Sequence, residues 1–94
     1  MAAALPPAHH LDLEGEYDLT RREEIAALFQ GVDGDGALVI DFSKVTYIDS
    51  TILRELALLR LRSAKRSITL RGASRHVLHV LHVVDFQKIF TILE

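Results

Sequence analysis

The apolar positions change their period along the chain, and each change predicts an element. In HHLDLE, residues 9–14, Leu11 and Leu13 alternate with polar neighbours, the two-residue period of a short, half-buried strand. Gly15, opening GEYD, predicts a turn after it. Thr20-Arg21-Arg22-Glu23 has the spacing of a capping box, in which Thr20 and Glu23 satisfy each other's free backbone donors. Ile25, Leu28 and Phe29 then recur at helical spacing, so 20–30 predicts a helix closed by Gly31. ALVIDF, 37–42, is almost continuously apolar and predicts a strand buried on both faces. Ser43–Tyr47 reads as a connection to Ile48.

From Ser50 or Thr51 to about Arg62 the apolar set is Ile52, Leu53, Leu56, Ala57 and Leu59, again helical, with Arg54, Arg60 and Arg62 on much of the remaining surface. SITL, 67–70, predicts a third strand after a basic turn. Ser74 caps a third helix running to about Val84, with Val77, Val80, Leu81 and Val84 on its core side. Its β-branched residues keep a strand open as the alternative. KIFTIL, 88–93, fits a short last strand or a packed tail.

Strand and helix alternate, which implies parallel neighbours joined by right-handed crossovers. The fold class is therefore α/β: one domain with about four mostly parallel strands and three or more helices packed on them. The 94 residues leave room for one domain. Residues 1–10 read as a short lead-in stiffened by Pro6-Pro7, and 11–94 as the domain.

Composition narrows the chemistry. The chain has no cysteine, which excludes disulfides, thiolate metal sites and thiol nucleophiles and points to a reducing compartment. No apolar run approaches the roughly 18 residues of a membrane span, so the expectation is a cytoplasmic protein without membrane insertion. The net charge of −2 hides an asymmetry. Residues 1–49 hold ten acidic and three basic side chains, whereas residues 50–75 hold seven basic ones against Glu55 alone. That basic segment is either a solvated helix face or a surface for a phosphate or an acidic partner. It has no interleaved aromatics for base stacking, so no nucleic-acid partner is expected.

Candidate chemistries fall away one by one. GVDGDGA, 31–37, has the glycines and aspartates of a calcium loop but not its twelfth-position carboxylate, and no Gly-Lys-Ser/Thr follows for a phosphate loop. His76, His79 and His82 share one helix edge. They lack the i, i+4 pairing and the carboxylate of a helical zinc motif, so neither metal nor cofactor is expected. Ser50 lacks the flanking glycines of a nucleophile elbow, so no enzyme is expected either. Asp49-Ser50-Thr51 remains, at the carboxyl end of a strand and the start of a helix. Its hydroxyls can cap the helix, or one can accept a phosphoryl group where the helix dipole favours negative charge. Asp18, after the first strand, reads as a turn or capping residue.

LVIDFSKVTYIDSTIL, 38–53, resembles the signature of the STAS domain family, which includes the bacterial anti-sigma-factor antagonists. LEGEYD, 13–18, resembles the family's Gly-Glu-Leu-Asp segment, and ITLRGAS and DFQKIFTIL sit where the family has its next strand, third helix start and closing segment. The resemblance implies a non-enzymatic protein-binding regulator. Ser50 would be phosphorylated by an anti-sigma factor that is itself a serine kinase, breaking their complex. Asp18, Asp49, Ser50, Thr51 and Arg54 would form the partner-binding surface. The family's antagonists usually carry glycine two residues after that serine, and often another two further on. Here Ile52 and Arg54 stand there and add bulk and charge. That departure, with the basic second helix, supports an alternative: an accessory subunit of a lipid or anion transport system, bound to its ATPase or permease without a phospho-switch.

Overall fold

The computed structural model of the chain describes residues 9–32 and 36–93. Residues 1–8 of the expected lead-in 1–10, and 33–35 with the central aspartates of the rejected calcium loop, lie outside the described residues; His9 and His10 already belong to the first strand. Four strands, β1 (His9–Tyr17), β2 (Leu38–Ile48), β3 (Ile68–Arg71) and β4 (Thr91–Leu93), form one sheet in the order β1-β2-β3-β4. All three pairings are parallel. The crossovers carry α1 (Arg22–Gln30), α2 (Ser50–Arg62) and α3 (Arg75–Val83). The α/β reading of the sequence is the fold that forms.

Each crossover steps to the next strand in the same direction, so the right-handed rule puts every helix on one face. The core agrees. Leu11, Leu13, Leu38, Ile40, Phe42, Ile68 and Leu70 from alternate strand positions join Ile25 and Phe29 of α1, Ile52, Leu56 and Leu59 of α2, and Val77 and Leu81 of α3. Asp12, Asp41 and Arg71 occupy the other face, in register across β1, β2 and β3. β2 is thus buried on one face and only half-buried on the other, at Val39 and Asp41, which corrects the two-sided burial its apolar run predicts.

Two predicted turns prove to be strand. β1 continues through Gly15 to Tyr17, and β2 runs unbroken through Ser43 and Lys44 to Ile48. The reason is a pair of register shifts, between Asp12 and Glu14 and between Gly15 and Glu16. Gly15 has φ +80°, a bulge conformation that a side chain resists. Arg21 holds the bulge: one guanidinium nitrogen donates to the carbonyls of Glu14 and Glu16, 2.9 Å from each, and the group lies 4.1 Å over the Tyr17 ring. On β2 the Asp41 carboxylate accepts the Ser43 amide at 2.7 Å and its hydroxyl at 2.5 Å, so the polar dipeptide is satisfied without leaving the strand. Gly72, at φ +74°, passes so close that a Cβ there would lie 3.0 Å from the Ser43 Cβ.

The Ser43 hydroxyl and amide, with Arg71 across the strand pair, hold the Asp41 carboxyl below its ordinary value of 3.8. The folded chain therefore binds this proton more weakly than the unfolded chain. Its contribution is complete above the unfolded value and is lost as pH falls through the lower folded one. The stability gap between the natural protein and Asp41→Asn should be widest near neutrality, narrow below about pH 4 and close in stronger acid. Urea midpoints of the two proteins across that range check it; a constant gap would contradict it.

The basic segment is not simply a solvated face. Arg66 is buried at 5% exposure. Its guanidinium donates to the carbonyls of Val32 and Gly36 and meets His9 Nδ1 at 3.1 Å, joining the end of α1, the approach to β2 and the start of β1. Arg60 donates to the carbonyls of Ser63, Arg66 and Ile89. Arg62 reaches the Phe29 carbonyl at 3.4 Å. On α3 the core side is as expected except for Val84, which ends the helix 40% exposed. KIFTIL splits into the end of a 3₁₀ turn, Phe86–Lys88, and β4.

Candidate functional site

Tyr17 and Ile48 are register partners at the ends of β1 and β2. Asp18 and Asp49 follow them directly, so both aspartates leave the sheet side by side at its carboxyl end. Each then caps a helical turn. Asp18 accepts the Thr20 amide at 2.9 Å and starts the 3₁₀ turn Leu19–Arg21. Asp49 accepts the Thr51 amide at 2.7 Å and starts α2. The Thr20–Glu23 capping box of the sequence reading does not form: Thr20 turns its hydroxyl to Asp18, and α1 starts after the 3₁₀ turn, at Arg22. Hydrogen bonds from the Thr20 hydroxyl and amide keep the Asp18 carboxyl below the ordinary carboxylate range.

At the start of α2 the capping falls to the aspartate and to neither hydroxyl. Asp49 is the cap, a role worth about 1 kcal/mol. Ser50 is the first helical residue and exposed. Among the described residues its side chain has no hydrogen-bond partner. Thr51 is half-buried behind it. Ile52 does not add bulk at the approach, contrary to the expectation from the missing glycine. One residue further round the helix it points into the core and is 0% exposed.

A groove of about 320 Å³ runs between α1 and α2 beside Ser50, lined by Leu19, Arg22, Ser50, Thr51, Arg54 and Leu58 among others. The structure thus brings together Ser50, Thr51 and Arg54 of the expected surface. Asp18 and Asp49 stand at the same end of the sheet but spend their carboxylates on capping. Sequence reasoning missed Leu19, Arg22 and Leu58. Leu19 and Arg22 had left a signal: Leu19 is a lone leucine between polar turn residues, and Arg22 puts a cation at a helix N-terminus, where the dipole disfavours it. His76, His79 and His82 are all exposed, on the separate surface of α3. Among the described residues no cluster of three or more potential ligands could hold a metal, and no helix is long and apolar enough to cross a membrane.

A parallel sheet with helices on one face, and an exposed serine where a strand hands over to a helix, defines a small α/β domain with a solvent-facing hydroxyl at the sheet's carboxyl end. The chain belongs to the STAS domain family, whose members are protein-interaction modules: the family model described as "Mlab, STAS domain" matches residues 1–94. Among solved structures it is similar to a sulfate transporter family protein from Wolinella succinogenes, at 13% identity and a TM-score of 0.74, over 97% of this chain and 80% of that one. No curated protein matches it in sequence.

Proposed function

We propose that the protein is a non-enzymatic protein-binding regulator of the anti-sigma-factor-antagonist kind, switched by phosphorylation of Ser50. The observation that carries this reading is the separation of roles at the α2 start. Asp49 does the capping, which leaves the Ser50 hydroxyl exposed and unengaged. A partner kinase would transfer the γ-phosphoryl group of ATP. A bond forms from Ser50 Oγ to phosphorus, the bridging bond to the β-phosphate breaks, ADP leaves, and the hydroxyl proton passes to a base of the kinase. The product dianion is tolerated at the helix N-terminus of the free protein. In a complex it would be desolvated against the partner, which is costly. Arg54, one helical turn on, stands beside it in the same groove.

The expected result with a serine-kinase anti-sigma factor and ATP is one phosphoryl group on the peptide carrying Ser50, read by tandem mass spectrometry. Ser50→Asp should weaken the complex by roughly tenfold or more. An unmodified Ser50 together with unchanged binding of Ser50→Asp would sink the reading.

A second reading, an accessory subunit of a transport system, is favoured by Arg54 in the groove and by the likeness of the fold to a sulfate transporter family protein. In that case the chain pulls down a transport ATPase or permease from membranes, and Ser50→Ala leaves the assembly intact.

A further inference from the structure

Of the cations in the basic segment, Arg60, Arg62 and Arg66 are tied to backbone carbonyls. Arg54 and, across the groove, Arg22 make no hydrogen bond or ion pair among the described residues. Leu19, 67% exposed, and Leu58, 37% exposed, form the apolar walls between them. The groove also holds one carboxylate, Glu55, which offsets one of the two guanidinium charges. The N-terminal ends of α1 and α2 both open onto it through Arg22 and Ser50; Glu23 and Glu24 offset the dipole of the first and the Asp49 cap that of the second, so the two guanidinium groups are the main source of positive charge. The result is an apolar slot with a net positive charge at its sides, beside the serine.

We infer that this groove takes an acidic, leucine-bearing helical segment of the partner protein. An apolar side chain sits between Leu19 and Leu58, and carboxylates pair with Arg22 and Arg54. The inference deepens the regulatory reading and rests on the α2 end being the docking surface. It also gives the switch a second arm. A phosphoryl group on Ser50 lies on the same helix face as Arg54, four residues on, so it competes with the partner's carboxylates for the same cations. Arginine in place of the family's glycine then sharpens the switch instead of blocking it.

The test uses the full chain and two synthetic helical peptides with the same leucine spacing, one with glutamates and one with lysines at the flanking positions. Binding is followed by amide shifts in nitrogen–proton correlation spectra. The acidic peptide should bind at least tenfold more tightly, with shifts confined to residues 19–26 and 50–58. The double variant Arg22→Glu, Arg54→Glu should reverse the preference, and its binding of the lysine peptide shows that it folds. Ser50→Asp should weaken the acidic peptide severalfold. Equal binding of the two peptides, or shifts on the bare sheet face or α3, overturns the inference. So would the same shifts on concentrating the protein without peptide, because they assign the groove to a second copy of the chain. These readouts need no kinase. A Ser50 that is never phosphorylated defeats the switch and leaves the peptide preference standing, so the two failures are distinguishable.

Discussion

Ile52→Gly is expected to lower the free energy of unfolding by about 3–5 kcal/mol, the largest loss of any single change near the candidate site. The family's antagonists usually carry glycine here, so a comparison of sequences alone would rate the change harmless. In this chain Ile52 is fully buried in one core with Leu56 and Leu59 of its own helix and with the inner positions of β1, β2 and β3. Removing its side chain loses the transfer energy of four carbons and leaves a cavity under the start of α2. Glycine also adds up to about 1 kcal/mol of backbone entropy cost in a helix. A domain of this size has only about 5–14 kcal/mol in hand, so the variant should unfold at much lower urea, followed by circular dichroism. Arg54→Gly is the control. It is exposed, so it should cost about 1 kcal/mol or less, while weakening the acidic peptide. Similar midpoints for the two glycine variants would show that Ile52 is not core.

Arg66→Ala is expected to cost about 3 kcal/mol. The guanidinium is buried and donates to two carbonyls and a histidine nitrogen. Alanine would leave the carbonyls of the half-buried Val32 and Gly36 without their donor. Lysine should not restore the loss, because a point ammonium cannot fork toward Val32, Gly36 and His9 at once. Amide exchange should quicken first at the amino end of the sheet, around His9–Leu11 and Leu38–Ile40, while the Ser50 end stays protected. A uniform loss of protection, or full rescue by lysine, would contradict this account.

The architecture was legible because period and punctuation agree in most of the chain. Helix α2 reads clearly, with Ile52, Leu56 and Leu59 on one face and Asp49 before them. Ser74 announces α3, and its side chain does accept the Val77 amide. The departures share a physical cause: each residue has two uses, and its local pattern favours the commoner one. Gly15 signals a turn, but the same positive φ serves a bulge within a strand. Ser43-Lys44 breaks the apolar run, but Asp41 supplies locally the hydrogen bonds that keep the strand going. Arg66 reads as one charge in a basic turn, and no local pattern distinguishes a buried guanidinium from a solvated one. Its partners lie 30, 34 and 57 residues away. At the site, the sequence pointed to the serine and to Arg54. The groove beside them needs α1 to lie along α2, and neither helix's own sequence specifies that pairing.

The strand order has a consequence for how the chain comes into being. Every strand pairs with the one before it in sequence, so no pairing has to wait for a distant segment. The long parallel pairing of β1 with β2, bridged by α1, needs only residues up to Ile48. A chain made from its amino end can therefore lay down its sheet strand by strand during synthesis, each crossover closing a loop of modest length. Asp18 and Asp49 are adjacent as soon as β2 is in place, and the Ser50 surface is complete once α2 settles on α1, before α3 is needed. The Ser50 end of the sheet thus needs no residue beyond α2 for its assembly.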